Sequence, residues 1–219
     1  MQTLPYIGPF AVFLAFLVLR FFLPLPAWGV QVLWAGITAA AIWLFSRSVL
    51  KTQRVRNWAG TVGVGVLVFL IWIGPDLLFP GYREHWLFSN AFLGQVTSGF
   101  PEEERANGLI LILRMARAAV LVPILEELFW RGWLMRWLIK PDFEQVPMGA
   151  YAPQAFWIVA VLFASEHGTF WDVGLAAGIL YNWWMIRTKS LGDLIVAHGI
   201  TNLCLSFYVV ATGHWEYWA

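Results

Sequence analysis

Charge is what this chain has least of. Of its 219 residues only 12% are Asp, Glu, Lys or Arg, while 60% are hydrophobic. A soluble domain carries about 25% charge, so a water-soluble globular fold is excluded and the composition reads as a polytopic membrane protein. Cysteine is almost absent. Cys204 stands alone, which excludes an intramolecular disulfide and a cysteine-cluster metal site. The net charge is +1 and no basic face is visible, so no nucleic-acid partner is expected. The N-terminus lacks the positive flank of a signal peptide. Its apolar run continues to Leu23 without a small-residue cleavage site, so it reads as a retained helix. No internal repeat is visible either, which counts against a transporter built from inverted repeats.

What the chain has in excess is tryptophan, 15 residues. Several flank apolar runs (Trp28, Trp58, Trp86, Trp171, Trp215, Trp218), where an amphipathic ring suits the membrane interface. The apolar runs are Tyr6–Leu23, Trp28–Phe45, Gly60–Ile73 with an extension to Phe79, Gly108–Ile139, Gln154–His167, Trp171–Ile186 and Ser190–Thr212. The expected fold is therefore all-α, a membrane helix bundle of about seven to eight spans. It forms one integral membrane domain over residues 1–219, with N-terminal helices and a polar loop over 1–107 and functional helices over 108–212. The loop Ser46–Asn57 carries Arg47, Lys51, Arg54 and Arg56 and no acid, which makes it cytoplasmic and puts the N-terminus inside. In that topology His167 ends its span on the outer side, whereas His198 lies nearer the inner side. A short or half-inserted helix before His167 removes the conflict. Pro101 followed by Glu102–Glu104 reads as the solvated first turn of a helix.

The few polar residues inside the last four apolar runs are the candidate site. Ionisable groups at membrane depth are costly, and by default they are functional. Leu125–Trp137 contains Glu126, Glu127 and Arg131. Glu127 and Arg131 are four apart, share a helix face and can pair. Glu126 is turned about 100° away and is free to face a cavity. Pro123 cannot donate to the carbonyl of Ala119, so a kink or break is expected beside the pair. Continuous helix over Gly108–Ile139 would be ~48 Å long against a ~30 Å hydrocarbon core, so the run must break, tilt or protrude. Glu166 and His167 end the fifth run, and Asn182 lies in the sixth. His198 and Asn202 lie four apart on the seventh, aimed at one point.

A carboxylate, a histidine and a His/Asn donor pair are the parts needed to hydrolyse an amide. Glu126 would take a proton from water. His167 would position that water or protonate the leaving amine, and His198 with Asn202 would hold the oxyanion. The bland readings are a structural Glu127–Arg131 ion pair and His or Asn side chains that merely bond helix to helix. Ser165 lacks the nucleophile-elbow context, and Cys204 lies about 240° round the helix from His198. No cofactor is implied. Glu126, His167 and His198 could chelate a divalent metal such as zinc, but no H-E-x-x-H is present to prearrange them.

Glu126-Glu127-x-x-x-Arg131, Phe163-x-x-x-His167 and His198-x-x-x-Asn202 resemble, in order, the three motifs of the CPBP intramembrane proteases. That group contains the type II CAAX prenyl endopeptidases and bacteriocin-processing or immunity proteins. The resemblance covers about Ala118–Val209. It implies an all-helical membrane fold, glutamate-based proteolysis with Glu126 and His167 around the water, and His198 and Asn202 at the oxyanion. Glu127 and Arg131 are then structural support. Val55–Tyr82 together with the three motifs further resembles a bacterial CAAX-protease-related subgroup that accompanies exosortase systems. The implied setting is a bacterial inner membrane, and the implied partners are the lipid bilayer and a peptide or membrane-protein substrate. The competing readings are a non-catalytic scaffold or immunity protein of the same fold, and a proton-coupled transporter using Glu126 and His167.

Overall fold

The computed structural model describes residues 3–98 and 100–218, and the described residues contain helices and no β-strand. Seven helices carry the fold: α1 Leu4–Phe22, α2 Ala27–Leu50, α3 Trp58–Leu78, α4 Gly108–Trp137, α5 Pro153–Ser165, α6 Trp171–Thr188 and α7 Leu191–Thr212. Of these, α1, α2, α3, α4 and α7 are long and apolar enough to cross a membrane. The protein is an all-α membrane helix bundle.

Helix α5 has only 13 residues, roughly 20 Å of rise, too short for a ~30 Å core. A single 3₁₀ turn, Gly168–Phe170, lies between it and α6. His167 immediately precedes that turn. The 13-residue α5 is thus the short helix expected before His167. The expected break at Pro123 does not occur. The 30-residue α4 stays helical throughout, but it widens to π geometry at Arg117–Leu121 and again at Leu128–Leu134. The first widened turn absorbs the proline, which begins the α-helical segment that follows. The acidic run also differs from expectation. Glu102–Glu104 forms a separate 3₁₀ turn, and α4 starts later, where the Asn107 side chain accepts from the backbone N–H groups of Leu109 and Ile110.

Helix α7 lies at the centre, packed against α3, α4 and α6. Two glycines set how close it comes. A Cβ on Gly65 of α3 would stand 2.6 Å from the carbonyl oxygen of Ala197, and one on Gly199 of α7 would stand 2.8 Å from that of Ala119. Small residues that allow backbones to approach are the usual means of helix association in lipid. The N-terminal end of α7 is pinned by Asp193, whose carboxylate accepts from the backbone N–H groups of Arg56 (2.7 Å) and Asn57 (2.9 Å) and from the Thr61 hydroxyl (2.7 Å). At the other end of the bundle Arg83 ties the long 80–107 connection to Asp76 and Asp172 and to the Thr169 carbonyl.

Candidate active site

Arg131 is wholly buried, and so is Glu127. Arg131 Nη1 donates to both carboxylate oxygens of Glu127, at 3.0 and 3.1 Å. Its remaining donors are also used. Nε reaches Asn182 Oδ1 at 2.8 Å and Nη2 reaches the Gly178 carbonyl at 3.3 Å. Asn182 in turn donates to the Phe156 carbonyl (2.8 Å), so one guanidinium ties α4 to α6, and α6 to α5. The guanidinium also lies 4.6 Å from the Phe163 ring centre. A buried charge this fully partnered is tolerable only as a unit.

The same Glu127 oxygen that faces Arg131 lies 2.9 Å from His198 Nδ1. A carboxylate can only accept, so Nδ1 carries a proton and Nε2 points away from Glu127. Tyr181 stacks on the imidazole at 5.1 Å, and its hydroxyl donates to Thr201. The ring is thus held on an edge and a face. Its Nε2 stands 4.0 Å from Glu126 Oε2. Glu126, the neighbour of Glu127, is turned toward a cavity. Its Oε2 is buried and accepts no hydrogen bond.

His167 is fixed differently. Its Nδ1 lies 2.8 Å from the Phe163 carbonyl. That oxygen can only accept, so Nδ1 is again the protonated nitrogen and Nε2 remains for chemistry. Phe163 and Trp72 flank the ring at 4.8 and 5.0 Å. Asn202 donates from Nδ2 to the Ala118 carbonyl at 2.9 Å. The bond has a local cause. Pro123 has no N–H to offer Ala119 four residues back or Ala118 five back, so the π turn leaves carbonyls facing α7. Asn202 satisfies one of them, and Gly199 lets α7 approach the other. One amide hydrogen of Asn202 is therefore committed to holding α7 on α4, and the second remains.

Glu126, His167, His198 and Asn202 line one cavity of about 360 Å³, together with Tyr181 and Thr201. The four side chains expected from the sequence are thus brought together, from α4, the α5–α6 turn and α7. Sequence reasoning missed three features of the site. Glu127 positions His198 as well as neutralising Arg131. Asn202 is half occupied by a backbone carbonyl. Arg20, Arg114 and Arg117 line the same cavity, although two of them interrupt an otherwise aliphatic run and so were visible. Among the described residues, no three His, Cys, Asp or Glu side chains are grouped so as to hold a metal ion.

The fold and site define an integral membrane helix bundle with a carboxylate that accepts no hydrogen bond through its buried oxygen, two imidazoles anchored through Nδ1 and an amide on one cavity. Residues 108–204 match the family model described as Rce1-like, type II CAAX prenyl endopeptidase Rce1-like, so this part of the chain is similar to that protease family. No curated protein and no solved structure matches it. The matched span runs from the first residue of α4 to the middle of α7 and so contains every residue of the cluster.

Proposed function

We propose that the protein is an intramembrane endopeptidase that uses Glu126 to activate water. One observation carries this reading: the buried, partnerless Oε2 of Glu126, 4.0 Å from His198 Nε2 and on the cavity wall shared with His167 and Asn202. A buried carboxylate oxygen without a donor calls for one, and a water molecule supplies it. Glu126 takes a proton from that water as the oxygen adds to the scissile carbonyl carbon. His167, with Nδ1 committed to Phe163, offers the Nε2 lone pair as a second acceptor that orients the water. This narrows its role to positioning in the attack step. The tetrahedral oxyanion takes the free N–H of Asn202 and the Nε2–H of His198. Because Nδ1 already bears a proton toward Glu127, this donor role requires the doubly protonated imidazolium. Collapse of the intermediate breaks the C–N bond, and the leaving nitrogen takes the proton held by Glu126.

The setting is a bacterial inner membrane, and the substrate is a peptide or membrane-protein segment. The subgroup suggested by Val55–Tyr82 remains part of this proposal. Incubating the protein in proteoliposomes with an apolar peptide library and reading the products by mass spectrometry tests the reaction class. Internal cleavage with one oxygen from the solvent in each new carboxylate is expected. A protein that cleaves none of the peptides, in several lipid compositions, fits a scaffold instead.

A further inference from the structure

The cavity has a second end that the hydrolytic chemistry does not use. Arg20 from the end of α1 and Arg114 and Arg117 from α4 all line it. Arg117 is buried, donates to Gln31 Oε1 and lies 3.8 Å over the Trp34 ring. Arg20 lies over the same ring at 4.8 Å, and its Nε is buried without an acceptor. Arg114 donates to the Trp218 carbonyl at 2.6 Å and lies 5.0 Å from the Trp218 ring. None of the three forms an ion pair with a carboxylate among the described residues. Glu104 interacts electrostatically with Arg20 and Arg114, whereas the charged neighbours of Arg117 are those two cations. Among the described residues three cations thus face one acid, and within a membrane bundle an unpaired charge is expensive. Neutral partners and aromatic rings soften that cost without cancelling the charge. A guanidinium fork is the side chain best suited to a carboxylate or phosphate.

We infer that Arg20, Arg114 and Arg117 bind an anionic group carried by the substrate, so that the enzyme selects apolar segments bearing a carboxylate or phosphate at a set distance from the scissile bond. The inference rests on the endopeptidase reading and gives it a specificity. The distance follows from the helix. Arg117 and Glu126 are nine residues apart on α4, roughly 13 Å of rise. An extended peptide covers ~3.3 Å per residue, so the anion lies about four residues from the bond that is cut. Both ends of the cavity belong to one connected space, which makes a substrate-borne anion a better fit than a separate lipid headgroup.

The test is a binding experiment that does not depend on turnover. The probes are fluorescent apolar octapeptides with one carboxylate at each position in turn, the C-terminus included, and each has an amide twin. Anisotropy is read with Glu126→Gln protein in phosphatidylcholine nanodiscs. At least one carboxylate position should bind tenfold or more tightly than its amide twin. Arg117→Gln and Arg20→Gln, added to that background, should each reduce the preference to within about threefold, and Arg117→Lys should keep most of it. Thermal midpoints identify any variant that has lost its fold, and Arg20→Gln, at a half-exposed residue, provides the fallback. No preference at any position overturns the inference. So does a preference for phosphatidylglycerol nanodiscs that Arg117→Gln abolishes without any peptide preference, because the anion is then a lipid. Wild-type cleavage is scored separately. Cleavage without anion preference removes this inference alone, and anion preference without any cleavage removes the endopeptidase reading alone.

Discussion

Glu127→Gln preserves side-chain volume and removes one charge. In the wild type this carboxylate is fully buried and accepts from Arg131 Nη1 and His198 Nδ1. The substitution removes the charge opposite the Arg131 guanidinium, whose bonds to Asn182 and Gly178 survive. Breaking a buried ion pair from one side costs about 3–5 kcal/mol. Those two surviving bonds place the expected loss near the lower end, about 3 kcal/mol. For a chain of this size each kcal/mol is worth roughly 2–4 °C, so thermal unfolding in detergent should shift down by roughly 6–12 °C. Adding Arg131→Met removes the stranded charge and should recover at least half of that shift, since replacing both members of a buried pair is often close to neutral. Activity should not return in the double variant, because the neutral amide does not replace the carboxylate charge beside His198. A Glu127→Gln protein that loses less than about 1 kcal/mol, or a double variant less stable than the single, would refute the view that these charges form one balanced unit.

Three further outcomes are expected. Asn202→Ala should lose about 1 kcal/mol of stability through the missing bond to Ala118 and also ~10²–10³ in kcat with KM little changed; a variant that is only less stable shows Asn202 to be interhelical glue. Gly199→Ala puts a Cβ 2.8 Å from the Ala119 carbonyl and should destabilise by about 1–3 kcal/mol through overpacking, which a thermal midpoint reads directly; no change would mean that α7 and α4 are not in tight register. Asp193→Asn should weaken the tie between α7 and the 51–57 loop, seen as faster amide exchange at Arg56 and Asn57; unchanged exchange would disprove the anchor.

The site was legible wherever an ionisable residue sat in an apolar run, because membrane depth makes each such residue stand out. Glu126, His167 and His198 were singled out that way, Asn202 by its four-residue spacing from His198, and the Glu127–Arg131 pair followed from spacing alone. Helix spacing stops being a guide where π turns add a residue to each turn. The π turn before Pro123 is why the break expected there is absent, and why a carbonyl of Ala118 reaches Asn202. The bond from Glu127 to His198 joins α4 to α7 and leaves no mark in either helix. Arg114 and Arg117 were visible as exceptions in an aliphatic run, but Arg20 and the shared Trp34 ring come from other helices, so the cluster emerges only on folding. The fold class needed composition alone. The short α5 was read as a span ending at His167, and its true end at Ser165 brings the histidine into the cavity.

The most direct measurement of the central claim is the single-turnover rate of Glu126→Gln beside wild type, on any peptide that the wild type cleaves, with thermal midpoints recorded on the same samples. Glu126 Oε2 accepts no hydrogen bond from the protein, so the amide should cost little stability, within about 1 kcal/mol. Cleavage should fall by at least ~10²-fold, the lower range for a positioned general base. A folded Glu126→Gln protein that cleaves at the wild-type rate would contradict it.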